Sequence, residues 1–194
     1  TAGAQATIWS YGHRNPQGLT FGLDGRLWDT EHGPRGGDEL NLIAKGRNYG
    51  WPTVSFGINY NDAPFASPWP EKEVSPASES TDGVCLPAFR WLPSIGACAL
   101  DVARGDAFPA WKGDLLAGGL SGANVDRIRT REGVVVEHER LIEGLGRVRD
   151  VVTGASGKIR FLLSAHASHE ELFVFARFGQ ALLDAAARDA FDVT

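Results

Sequence analysis

Apolar residues in this chain fall in short runs bounded by turn residues, and helical spacing is rare. The runs are Leu19 to Phe21, Arg26 to Trp28, Glu39 to Ile43, Leu115 to Ala117, Val125 to Ile128, Val134 to Val136, Ile159 to Leu163 and Leu172 to Phe175. Runs of this length between turns predict an all-β chain. A weak internal repeat sharpens the prediction. Gly25-Arg26-Leu27, Gly113-Asp114-Leu115 and Gly157-Lys158-Ile159 each set a turn glycine before a strand, at offsets of 88 and then 44 residues. Propeller blades of four strands run about 40–45 residues, so the offsets read as two blades and one. On that count the 194 residues hold about four blades.

Two stretches break the pattern. The Pro-rich segment from 59 to 81 predicts an insertion or long loop within a partial propeller over 1–178. Over 179–194, Ala181, Leu182, Leu183, Ala185, Ala186, Ala187 and Phe191 follow helical spacing. That tail is either a helix capping an exposed sheet edge or a frayed extension. An open arc of blades leaves unpaired strand edges. The expectation is therefore a homodimer, or a piece of a longer propeller.

Composition narrows the partners. The net charge of −5 gives no basic stripe to follow a phosphate backbone, which argues against nucleic acid. No apolar run approaches the roughly 20 residues needed to span a bilayer. The chain begins at Thr1 and has no Met, which reads as a processed or excised piece. Cys85 and Cys98, 13 residues apart, are either free thiols or a disulfide.

Candidate chemistry concentrates between Glu31 and Pro52. These 22 residues carry five glycines, two prolines, the acids Glu31, Asp38 and Glu39, His32, Tyr49 and Trp51 around one apolar strand, Leu40 to Ala44. Two readings stand: solvated surface turns, or a fixed loop path that brings bare carbonyls to a hard cation such as Ca²⁺. Upstream, Arg14 and Asn15 lie between Gly12 and Pro16, hence on a loop at a strand end. Arg147 and Arg149 flank Val148, and on a strand that spacing puts both guanidinium groups on one face. They either clasp an anion or pair with Asp150 or Glu143.

The segment Ile8 to Leu19, containing Gly12-His13-Arg14-Asn15-Pro16-Gln17-Gly18, resembles the soluble quinoprotein sugar dehydrogenases of the glucose/sorbosone dehydrogenase family, aldose sugar dehydrogenases in particular. The likeness extends through Glu31 to Pro52, Phe108 to Leu116 and Gly146 to Val151, and fits a C-terminal portion. It implies a six-bladed propeller, a pyrroloquinoline quinone (PQQ) cofactor and Ca²⁺. In the family's pattern Arg14 and Asn15 face the quinone carbonyls, with Arg14 stabilising the reduced oxyanion, and Arg147 and Arg149 bind in the cofactor site. The carbonyls of Gly33 and Pro34 match ligands of the Ca²⁺ beside PQQ. Glu39 and the Tyr49 carbonyl match a second, structural Ca²⁺, with Asp38 an extra carboxylate nearby.

Two departures stand out. The family's histidine base comes from upstream of this motif, so His13 is not assigned that part. Ser121 occupies the place of a PQQ-contacting lysine. The other histidines, His32, His138, His166 and His169, are expected on the surface or in loops. The resemblance implies oxidation of an aldose at its anomeric carbon to the lactone. A Ca²⁺-dependent lactonase on the same scaffold and a non-catalytic, calcium-stabilised binding module are the alternatives. A periplasmic or secreted location is expected.

Overall fold

The computed structural model describes residues 7–62, 73–74, 83–144, 146–154 and 158–163. Twelve strands make up the described structure: β1 (Pro16–Phe21), β2 (Leu27–Glu31), β3 (Asp38–Ile43), β4 (Glu73–Val74), β5 (Val84–Cys85), β6 (Phe89–Trp91), β7 (Ala97–Val102), β8 (Leu115–Gly119), β9 (Asn124–Arg131), β10 (Val134–Glu143), β11 (Val148–Thr153) and β12 (Ile159–Leu163). The only helical element among the described residues is a 3₁₀ turn at Pro109–Trp111. The first sheet has the order β1-β2-β3-β6 and the second β10-β9-β8-β7, while β11 pairs with β12 and β4 with β5.

Local chemistry accounts for the hairpins. In the β1–β2 turn Gly25 takes φ +77°, and the Asp24 carboxylate accepts the Arg26 N–H at 3.0 Å. The two-residue β9–β10 turn, Glu132-Gly133, has positive φ at both positions, which matches the right-handed twist of its strands.

The sheets stack face to face through two apolar layers. Trp28, Leu40 and Trp91 of the first sheet meet Leu100, Val102, Leu115 and Ile128 of the second. Ala99, Leu116, Val125 and Ile142 of the second meet Val148 and Val151 of the third. Strand β8 is buried along its whole length because it faces both layers, which is why it reads as an unbroken apolar run.

Strands β1, β7 and β11 lie side by side at the inner edge of their sheets. Gly18 sits against Leu100, where any Cβ would overlap the β7 backbone. Asp101 accepts the Thr20 hydroxyl at 3.5 Å and the Thr153 N–H at 2.6 Å, and Cys98 Sγ donates to the Arg149 carbonyl at 3.3 Å. Early residues thus meet early ones and late meet late. The three strands run the same way, and their first residues share one end of the molecule.

The all-β expectation holds. The repeat, however, counts differently. Gly25 and Gly113 precede β2 and β8, the second strands of consecutive sheets, so the 88-residue offset is one unit and not two. The excess is the segment from 44 to 88, inserted between the third and fourth strands of the first sheet. Where about four units were expected, the described residues form two four-stranded sheets and one two-stranded sheet. Cys85 is buried, Cys98 half-buried, and both are free thiols. The expected strand at Leu172 to Phe175, His166, His169 and the 179–194 tail lie outside the described residues.

Candidate active site

Alternation along β2 and β3 sets up the first sheet's two faces. Trp28, Thr30, Leu40 and Leu42 point toward the second sheet. Asp29, Glu31, Glu39 and Asn41 point the other way, with Asp29 opposite Asn41 and Glu31 opposite Glu39. The segment 7–15 and the loop after β3 cover this polar face, joined by a bridge between Tyr11 and Asn48.

Arg14 enters this face from the turn before β1. Its N–H donates to Glu31 Oε2 at 2.7 Å, and the Asn15 N–H reaches the same oxygen at 3.4 Å. The Arg14 guanidinium donates to the carbonyls of His32 and Gly33, each at 3.0 Å, and to the Tyr60 hydroxyl at 3.3 Å. It lies over the Trp51 ring, 5.2 Å from the centroid. Its Nε is buried without a partner. The Asn15 side chain accepts from Gln17 at 2.9 Å.

A small cavity of about 20 Å³ opens here, lined by Arg14, Glu31, Gly33, Glu39, Tyr49 and Trp51 among others. That volume suits one water-sized occupant. Gly33 and the pair Glu39 and Tyr49, matched to two different cations in the sequence, therefore line the same cavity. Gly33 is required at its position because a Cβ would overlap the Gly36 carbonyl. Burial and then the Glu31 charge push Glu39 up to about 8. Tyr49 is buried, its hydroxyl donating to the Leu42 carbonyl at 2.6 Å and accepting the Ala44 N–H at 2.9 Å. Desolvation holds its phenol above the ordinary tyrosine range. Pro34 is buried beside Gly57.

Asp38 departs from expectation. It belongs to the opposite face from Glu39, and its carboxylate accepts the Ala97 N–H at 2.9 Å, so it ties the first sheet to the second and faces away from the cavity. His138 is at the surface as expected, on β10, with Nε2 2.8 Å from the buried carboxylate of Asp126. His32 is half-buried next to Gly33.

Arg147 and Arg149 sit at the start of β11. Arg147 precedes the strand and Arg149 falls at a register shift between Val148 and Asp150, so simple alternation does not govern their directions. Among the described residues neither guanidinium pairs with a carboxylate. Glu143 is engaged by Arg140 at 2.9 Å, and the Asp150 carboxylate accepts the Val151 N–H at 2.9 Å. Ser121 donates its N–H to the Ile95 carbonyl just before β7. Arg14 and Asn15 precede β1, Ser121 bonds to Ile95 just before β7, and Arg147 and Arg149 lie at the start of β11, with β7 between the two Arg pairs.

The sequence reading missed a group next to the cavity. His13, Asp29 and Glu31 bring ligand-type atoms within 4.8 Å of one another. The alternation Asp29-Thr30-Glu31 was the available signal. Asp29 is pushed up to about 7 by burial and then by the Glu31 charge. Burial opposes charging of His13, but Glu31 and Asp29 beside the ring outweigh it and raise its pKa.

A sequence profile described as Glucose / Sorbosone dehydrogenase matches residues 1–172. The aldose sugar dehydrogenase YliI of Escherichia coli K12 is 39% identical over 178 residues, 91% of this chain and 46% of that protein. Quinoprotein glucose dehydrogenase B of Acinetobacter calcoaceticus is 55% identical over 53 residues, 27% of this chain and 11% of that one. A crystal structure of a glucose dehydrogenase, 39% identical, superposes with a TM-score of 0.71 over 83% of this chain and 45% of its own. The chain spans less than half the length of the relatives it matches.

Proposed function

The chain belongs to the glucose/sorbosone dehydrogenase family, and on that premise we propose that it supplies part of a PQQ- and Ca²⁺-dependent enzyme oxidising an aldose at its anomeric carbon to the lactone. The observation that carries this reading is the cavity shared by Arg14, Gly33, Glu39 and Tyr49. The donor set suits a cation. Gly33 O already accepts a guanidinium and keeps a second lone pair, and Glu39 adds a carboxylate. A relative named as a quinoprotein supports the cofactor assignment.

When bound, PQQ would supply a two-electron acceptor equivalent to one hydride, and Ca²⁺ a Lewis acid beside it. The chain's own residues hold and orient. Arg14 has a guanidinium fixed by two carbonyls and two aromatic rings, with a buried Nε that has no protein partner. The Asn15 amide offers a second donor. Arg147 and Arg149 supply cationic donors for carboxylates. His13, stacked on Tyr49 with centroids 4.6 Å apart behind the loop, is not assigned as the proton acceptor. A periplasmic or secreted location belongs to the same proposal.

The test is reconstitution with PQQ and Ca²⁺, read as PQQ binding and dye-linked aldose oxidation. Saturable but weak binding with little turnover is expected from this chain, because Ser121 replaces a cation. Arg149→Ala is expected to weaken PQQ binding by about 1.5–3 kcal/mol, the worth of a hydrogen bond to a charged group. Unchanged binding in that variant overturns the pocket. Chelator-sensitive lactone hydrolysis without any PQQ binding would favour the lactonase.

A further inference from the structure

Beside the cavity, on the same polar face, the geometry points to a second divalent-cation site built from His13 Nδ1, Asp29 and Glu31, with donors that suit a borderline ion such as Zn²⁺. It stands independently of the PQQ reading.

Asp29 and Glu31 are two apart on β2 and share a face, both buried. Gly12 at φ +80° turns the chain so that the His13 ring lies over them. Ser10 Oγ lies 2.8 Å from His13 Nε2, and a cation would displace the proton from Nδ1 and leave the tautomer that donates from Nε2 to Ser10. Nδ1 is 3.6 Å from Asp29 Oδ2 and 3.5 Å from Glu31 Oε1. It is buried and has no hydrogen-bond partner. Both separations from Nδ1 are long for hydrogen bonds and close to the roughly 3.3–3.4 Å between donors that metal bonds of about 2.0–2.1 Å impose in a tetrahedral site, and the two carboxylates lie within 4.8 Å of each other.

A separate observation comes from Asn41, which is fully buried opposite Asp29. Its Nδ2 donates to Glu31 Oε1 at 2.9 Å, which keeps the amide at the cluster, while its Oδ1 has no partner. Asp29 Oδ1 is likewise buried and unpartnered. Buried acceptors left bare are costly, and a cation satisfies them together. An imidazole among the donors favours Zn²⁺-type ions over Ca²⁺, which takes oxygens. Glu31 Oε2 is occupied by the Arg14 N–H, leaving for the site the second lone pair of Oε1, which also accepts Asn41 Nδ2. One carboxylate would therefore couple this cation to the Arg14 loop.

Co²⁺ is the probe, added to the chelator-stripped 194-residue chain in millimolar Ca²⁺. The expected result is one equivalent bound, with ligand-field bands of a low-coordinate nitrogen/oxygen site that Zn²⁺ abolishes. His13→Gln and Asp29→Asn should each weaken binding at least tenfold, with melting in chelator confirming that the variants fold. Equal Co²⁺ affinity in native chain and variants, or loss of binding in Ca²⁺, overturns the site and leaves His13 as an imidazolium bridging two carboxylates. Should the variants not fold, the spectrum of the native chain decides, since the weak bands of a six-coordinate aquo-like ion also overturn it.

Discussion

At the scale of single residues, one position separates Asp38 from Glu39, and that step sends one carboxylate into the sheet junction and the other into the cavity. Glu39, Asp29 and His13 make the metal-free face sensitive to pH. Each has a folded pKa raised above its ordinary value, so each contributes stability that is present at low pH and lost as pH rises through the folded value. With chelator present, the unfolding midpoint is expected to fall between pH 5 and pH 8, Asp29 titrating near 7 and Glu39 near 8. Calcium at 100 times its dissociation constant should restore about 2.7 kcal/mol at pH 8. Glu39→Ala should lose most of that restoration. Melting curves at both pH values, with and without Ca²⁺, check the prediction, and identical curves with Ca²⁺ and with chelator at pH 8 refute it. Arg14, Gly33, Glu39 and Tyr49, singled out through the resemblance, line one cavity. The His13, Asp29, Glu31 and Asn41 group was not legible in the sequence, because it exists only through the register that sets Asp29 opposite Asn41.

Among the elements, β1 to β3, β8 to β10 and β12 coincide with expected apolar runs, while β4 to β7 and β11 do not. Strand β7 is squeezed between β1 and β11 and uses Ala97, Cys98 and Ala99 where a bulky run would give it away. Its neighbour β1 uses Gly18 for the same reason. The blade count failed on the 44–88 insertion, since a fixed period cannot register one unit of double length. The outer strands are joined by a polar centre that no spacing rule exposes. Asp126, fully buried on β9, accepts from Trp91 Nε1 at 2.8 Å, from Asn124, and from Arg140 Nε at 3.2 Å, and lies 2.8 Å from His138 Nε2. Truncating it strands the buried Trp91 indole N–H, while Arg140 keeps Glu143 as a partner. Asp126→Ala is expected to cost about 1–3 kcal/mol, the range for leaving a buried donor unsatisfied. Urea unfolding measures this, and a loss under 1 kcal/mol would show that the centre is solvated.

For the whole molecule, the first sheet leaves an apolar patch beside its polar residues. Leu19 and Phe21 are 66% and 60% exposed, and a cavity of about 560 Å³ lined by Trp9, Phe21, Leu27 and Ile43 adjoins them. This predicts self-association through that face, and a single monomeric species in sedimentation at tens of micromolar would refute it. The 44–88 insertion also has a consequence for the order of events in time. The second sheet closes through short local connections, whereas β6 joins β3 only after a loop of some 45 residues returns. Loop-closure entropy puts that pairing about 2 kcal/mol behind a four-residue hairpin. Pulsed hydrogen exchange during refolding is therefore expected to protect Leu116 and Ile128 before Phe89 and Trp91, and simultaneous protection would refute it. Because the cavity's covering residues ride on that slow loop, binding competence should appear last, after the scaffold beneath it has already formed.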